Sequence, residues 1–222
     1  MSKWSIELPH TNIAAWAGVA SSKPKKSWTD RAELAASFLR VGDAVCDLGA
    51  GAHTLKMVLP EGIGYIPVDC TDKIPGTYVC DFNDPQFQLP AEPYNVVTAL
   101  GVLNYLLDLD LFMNRLSAEC HGKFFIFTYD LWKLDERYKG HGVRNSFDTL
   151  EESVYFFSKY IKNLAAATVF RRRVMFTGTL GTGEPSAKIR TPLTRLACEY
   201  IRPQEYLALK IFKINMMPRC LA

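Results

Sequence analysis

The sequence predicts an α/β protein: a doubly wound, mostly parallel sheet, Rossmann-like, with an antiparallel edge hairpin near the C-terminus. Three observations carry the prediction. Short apolar runs rich in β-branched and aromatic residues recur along the chain, 94–100 and 123–128 being the most continuous, as expected of strands covered on both faces. They alternate with segments of helical period, the pattern of crossover units in a parallel sheet. Successive early strands also end on a carboxylate, the first followed at once by Gly49-x-Gly51, which gathers polar residues at one edge of the sheet.

The opening 28 residues contain turn formers and scattered aromatics (Trp4, Trp16, Trp28) without a clear period, and Ser21-Ser22-Lys23-Pro24-Lys25-Lys26 reads as an exposed link. A first helix is expected from Asp30, which has capping-box spacing to Glu33; Leu34, Ala35, Phe38 and Leu39 then pair at i,i+4 on one face. The first strand is Ala44-Val45-Cys46, ending at Asp47. A second helix is expected over 53–59, stopping at Pro60. Residues 64–68 form the second strand, weakened by Pro67, which removes a ladder donor; residues 77–80 form the third. These two end at Asp69 and Asp81.

After the fourth strand, 94–100, Leu109, Phe112 and Leu116 fall on one helical stripe, and 123–128 is the fifth strand. Asp148 and Glu151 repeat the capping-box spacing beside Leu150, Val154, Phe157 and Ile161 at helical period. Residues 168–177 and 206–214 read as the two late edge strands. One domain accounts for the 222 residues. Its parts are a lid or link over 1–28, a core over 29–130, and a region over 131–222 with a long loop, the last helix and the edge strands.

The segment that bears chemistry is strand, Asp47-Leu48-Gly49-Ala50-Gly51, helix. Glycines at such a turn let the backbone approach a ligand, and a following helix offers unpaired N–H groups. A lone G-x-G is weak; the carboxylate ahead of it sharpens the reading. Dinucleotide sites place a pyrophosphate at this turn, and Asp47 would repel it. A ligand with positive charge there, such as the amino group of a methionine moiety, suits the turn, so the polarity favours S-adenosylmethionine over NAD. Asp69 follows Asp47 by 22 residues, near the spacing of about 20 at which a carboxylate meets ribose hydroxyls. Asp81 ends the third strand, where it can accept from an adenine amino group.

Val45-Cys46-Asp47-Leu48-Gly49-Ala50-Gly51, Val68-Asp69, Cys80-Asp81-Phe82 and Val96-Val97-Thr98-Ala99-Leu100-Gly101-Val102-Leu103 together resemble the successive cofactor motifs of class I S-adenosylmethionine-dependent methyltransferases. The resemblance runs from about residue 32 to 129. It implies that Asp47, Gly49 and Gly51 hold the methionine end, Asp69 the ribose, Asp81 and Phe82 the adenine, and that Leu100 and Gly101 flank the cofactor. The family commonly has a third glycine where this chain has His53, which puts a side chain at the methionine end.

Weighed alone, each of these residues has an ordinary alternative: a structural turn at Asp47, solvated strand ends at Asp69 and Asp81. Together they point to one crevice. For removal of an acceptor proton the candidates are His141, in the glycine-flanked loop after the fifth strand, and Tyr129 and Asp130 at that strand's end. The reaction expected is methyl transfer to an oxygen or nitrogen acceptor. Its alternatives are a non-catalytic cofactor- or partner-binding module on the same fold, and an NAD-dependent oxidoreductase, which Asp47 disfavours.

Composition narrows the partners. With 48% hydrophobic and 22% charged residues and a net charge of +3, the chain is an ordinary globular protein without a whole-domain basic field, and nucleic acid is not expected. Arg171-Arg172-Arg173 reads as exposed surface. Thr98-Ala99-Leu100-Gly101 replaces the Asn/Asp-Pro-Pro-aromatic motif typical of enzymes that methylate nucleic-acid bases, and there is no Pro-Cys nucleophile. A small-molecule acceptor, such as a sugar or metabolite, is expected. No signal sequence or membrane span is read, the six cysteines include no C-x-x-C pair, and a cytoplasmic protein without bound metal is the expectation.

Overall fold

The computed structural model describes residues 11–131, 143–170 and 173–183. Seven strands among them form one sheet: β1 (Ala44–Leu48), β2 (Gly64–Asp69), β3 (Tyr78–Val79), β4 (Val96–Leu100), β5 (Phe124–Asp130), β6 (Ile161–Phe170) and β7 (Arg173–Leu180). Their order is β3-β2-β1-β4-β5-β7-β6. The first five strands are parallel, and β7 runs antiparallel to both β5 and β6. The helices are α1 (Ile13–Ala20), α2 (Lys26–Ala36), α3 (Leu109–Glu119) and α4 (Leu150–Phe157).

Alternation along the strands divides the core into two layers. Cys46, Leu48, Val97, Ala99, Phe125 and Phe127 face one side, where α3 supplies Phe112, Met113 and Leu116 and α4 supplies Val154 and Phe157. The β5–β7 register sets Phe127 opposite Phe176 with rings stacked at 4.9 Å, and Phe157 meets Phe127 edge-on at 4.6 Å. Val45, Val96, Leu100, Ile126 and Met175 face the other side under α2. The sequence pattern of near-continuous apolar strands follows from this double cover. No helix among the described residues is long and apolar enough to cross a membrane, and Cys46, Cys70, Cys80 and Cys120 are free thiols.

Several boundaries differ from the sequence reading. The opening segment contains a helix, α1, whose Asn12 side chain accepts from the Ala15 N–H at 3.1 Å. α2 begins at Lys26, with Lys25 extended as its N-cap. Asp30 is therefore inside the helix and pairs with Lys26 at 2.6 Å instead of capping. The helix expected over 53–59 shrinks to a 3-10 turn at Lys56–Val58. The cause is local: Gly49, Gly51 and His53 all adopt positive φ, at 71°, 50° and 52°, which a right-handed helix excludes.

The cap of α4 lies one residue later than its spacing suggested. Thr149 accepts from the Glu152 N–H at 3.1 Å, and Glu152 reaches back to accept from the Asp148 N–H at 3.0 Å. Ile161 opens β6 instead of ending the helix, because the chain turns after Phe157 with Ser158 as C-cap. The antiparallel hairpin is thus β6–β7; residues 168–177 straddle its turn, and 206–214 lie outside the described residues.

Candidate functional site

β1 lies between β2 and β4, so successive connections leave it in opposite directions and open a crevice at the C-terminal strand ends. Asp47 sits at the floor of that crevice, 3% exposed. The Thr98 hydroxyl on β4 donates to its Oδ1 at 2.6 Å and the Tyr65 hydroxyl on β2 to its Oδ2 at 2.8 Å. Burial pushes the Asp47 pKa up to about 6, against the pull of those two hydrogen bonds and of Arg31. Thr98 was legible as a lone hydroxyl within an apolar strand, since a buried polar group needs a partner.

The turn above Asp47 is held from within. The N–H groups of Gly49 and Ala50 donate to the Val68 carbonyl at 2.8 and 3.0 Å, and that of Gly51 to Asp69 Oδ2 at 2.9 Å. A Cβ on Gly49 would stand 2.7 Å from the Val102 Cβ, so glycine is required for packing as well as for its positive φ. These three donors are directed inward and are not offered to a ligand. That arrangement, above a carboxylate, suits an ammonium donor and opposes a pyrophosphate.

His53 is buried at 7% exposure. Its Nε2 lies 2.9 Å from the Thr77 hydroxyl and its ring meets Tyr65 edge-on at 5.9 Å. Burial lowers its pKa, with Lys56 acting in the same direction. The imidazole thus ties the turn to the β2–β3 connection.

Asp69 and Asp81 lie at the ends of β2 and β3. Asp69 is 9% exposed; its Oδ1 meets the Cys70 thiol at 3.5 Å, a weak donor that leaves capacity on that oxygen. Asp81 Oδ1 accepts from the Asn83 N–H at 3.0 Å and from the Thr11 hydroxyl at 2.6 Å, so the segment leading into α1 crosses this edge of the crevice. Phe82 turns its ring into the core instead, edge-on to Phe87 and Phe112. Leu100 is buried under α2, and Gly101 begins the connection after β4 with φ 88°.

Of the acid–base candidates, Tyr129 is fully buried and donates to Asn145 Oδ1 at 2.5 Å; burial raises its pKa, which keeps it a donor. Asp130 is held by both oxygens: Arg173 donates from Nε at 2.6 Å and from Nη2 at 2.7 Å. His141 lies outside the described residues. Two residues that the sequence did not single out lie after or against the end of β4: the Arg31 guanidinium of α2 sits against Gly101, and Tyr105 lies in the 3-10 turn Leu103–Tyr105. Trp16 of α1 packs edge-on against Tyr105 at 4.6 Å. These contacts depend on where α1 and α2 cross the sheet, which no local pattern records.

No protein-family model and no curated protein matches the chain. Solved structures do. A protein from Nostoc punctiforme named as a candidate O-methyltransferase aligns with a TM-score of 0.60 at 11% identity, over 79% of this chain and 63% of its own. The CurJ carbon methyltransferase aligns with a TM-score of 0.50 at 11% identity, over 64% and 49%. The N-methyltransferase NodS from Bradyrhizobium japonicum, solved with S-adenosyl-L-homocysteine, aligns with a TM-score of 0.53 at 11% identity, over 75% and 97%. The chain therefore spans less than two thirds of the first two. These neighbours share one fold while their names point to oxygen, carbon and nitrogen acceptors respectively, so the fold alone selects no acceptor.

Proposed function

On the fold of the class I S-adenosylmethionine-dependent methyltransferases, we propose that this chain binds S-adenosylmethionine in the β1–β2–β4 crevice and methylates an oxygen or nitrogen of a small molecule. The observation that carries the reading is Asp47, a buried carboxylate under a turn whose N–H groups point inward. Such a floor receives a cation. In this reading Asp47 and the carbonyls of the turn face the methionyl ammonium group. Asp69 Oδ1 takes a ribose hydroxyl, and the uncommitted oxygen of Asp81 takes the adenine amine. Leu100 and Gly101 flank the ligand, with Phe82 supporting from the core.

When bound, the cofactor supplies a methyl group on a sulfonium, already activated for transfer, so the protein's part is to align and desolvate the acceptor. His141 is the base proposed for a hydroxyl acceptor, because Asp130 is committed to Arg173 and Tyr129 to Asn145. The same commitments support a second reading, a module that binds the cofactor without turnover; release of S-adenosylhomocysteine over a panel of small hydroxyl and amino compounds separates the two.

The test of the site is Asp69→Ala. Loss of hydrogen bonds to a charged acceptor costs about 1.5–3 kcal/mol, which is about one to two decades in affinity for S-adenosylhomocysteine. A variant that binds as tightly as the parent removes Asp69 from the site.

A further inference from the structure

α1 covers little surface of its own. Of its eight residues only Ala20 is buried. Ile13 is 50% and Val19 38% exposed, and the space beside Gly18 is open. Asn12 serves the helix itself, accepting from the Ala15 N–H. A helix of this length is marginal on its own hydrogen bonds, so its place depends on what ties it to the sheet.

Two tethers among the described residues do so, and both are made beyond the carboxyl ends of strands. At one end the Thr11 hydroxyl donates to Asp81 Oδ1 at 2.6 Å and accepts from Asn83 Nδ2 at 2.8 Å. At the other, Trp16 packs edge-on against Tyr105 at 4.6 Å. Asp81 and Asn83 belong to the connection that leaves β3, and Tyr105 to the one that leaves β4. β1 and β2 lie between those strands. The two connections are themselves joined where the Leu107 N–H donates to Asn83 Oδ1 at 2.7 Å. α1 therefore lies along the rim of the crevice, tied to the loop on each of its sides.

A segment that buries so little opens locally with a free energy well below that of global unfolding. Its polar tether is also shared with the proposed ligand. Asp81 Oδ1 serves Thr11 and the Asn83 N–H, while the other oxygen is the one assigned to the adenine amine. A ligand on that oxygen fixes the plane of the carboxylate and with it the position that Thr11 needs. Latch and ligand thus reinforce one another, by the same factor in both directions.

We propose that α1 is a strap at the mouth of the cofactor crevice, held closed by the Thr11–Asp81–Asn83 latch and tightened by bound cofactor. Opening of the strap admits the cofactor and releases it. This rests on the cofactor reading above.

The test measures hydrogen exchange of the α1 amides in the full chain, free and saturated with S-adenosylhomocysteine, and the dissociation rate of S-adenosylhomocysteine by surface plasmon resonance. In the parent, saturation is expected to slow exchange over 13–20 by about tenfold or more. Thr11→Val keeps the side-chain shape and removes the latch. It is expected to remove most of that slowing and to speed dissociation by about tenfold, with Trp16→Ala acting in the same direction. Val19→Ser, on an exposed side of the same helix, is expected to match the parent in both measurements. Melting curves confirm that each variant is folded. Exchange over 13–20 that is indifferent to S-adenosylhomocysteine, or dissociation from both Thr11→Val and Trp16→Ala at the parent's rate, overturns the strap and leaves the cofactor reading in place. If the parent binds no S-adenosylhomocysteine, the cofactor reading fails by itself. The latch is then read on the free chain, where Thr11→Val is expected to speed exchange over 13–20 by about tenfold, and equal exchange in parent and variant overturns it.

Discussion

Asp47 sets the pH behaviour of the site. Burial raises its pKa to about 6, so in the free protein the carboxyl is ionised above that pH and protonated below it. An ammonium group on the ligand favours the ionised form. Affinity for S-adenosylhomocysteine is therefore expected to be flat above about pH 7 and to fall toward about tenfold per pH unit below about 6, with a proton released on binding at low pH. Asp47→Asn is expected to bind weakly and without that pH dependence; a variant with the parent's profile would give the titration to another group. His53 poses a different question, since it holds φ 52° while bonded to Thr77. His53→Gly accepts that backbone and His53→Ala does not, so urea unfolding is expected to find the alanine variant less stable by about 1–2 kcal/mol. Equal midpoints would mean that the turn relaxes. The places of Asp47, Gly49, Gly51, Asp69 and Asp81 at the turn and the strand ends were legible because residue type and spacing carry them. Arg31 and Tyr105 were not, because nothing in their neighbours in sequence distinguishes them from solvated surface.

Elements were legible where burial on both faces writes a continuous apolar run, as in β4 and β5, and less so where capping chemistry decides the boundary. The sequence reading placed the cap of α4 at Asp148, from its spacing to Glu151, while Thr149 beside it has the same spacing to Glu152. The fold uses Thr149, with Glu152 closing the box on the Asp148 N–H. Thr149→Ala is accordingly expected to lower stability by about 1 kcal/mol in chemical denaturation, and Asp148→Ala by less than half of that. The reverse ranking would move the cap back to Asp148. The missing helix after Gly51 has the opposite lesson. The apolar residues of 53–59 permit a helix, but left-handed positions at 49, 51 and 53 turn the chain away from helical geometry, and only Lys56–Val58 recovers a helical turn. A sequence pattern records which face is apolar; it does not record φ at a histidine.

At the scale of the molecule, the topology was legible in outline from strands that alternate with helical segments and from carboxylates at strand ends. The strand order β3-β2-β1-β4-β5-β7-β6 then follows from a switch point at β1 and a returning hairpin at the far edge. The hairpin itself was displaced in the reading, because Ile161 continues the helical period of α4 and only the turn at Ser158 ends it. The whole sheet contributes a shared edge at which Asp47, Asp69, Asp81 and Gly101 stand at the ends of four strands, with Arg31 of α2 against Gly101. The central claim is that this edge receives a ligand with a cationic, not a pyrophosphate, end. Isothermal titration of the purified chain with S-adenosylhomocysteine and, separately, with NAD tests it most directly. The account predicts binding of S-adenosylhomocysteine with a dissociation constant at or below about 1 mM and no heat from NAD at the same concentrations; NAD binding with no response to S-adenosylhomocysteine would contradict it.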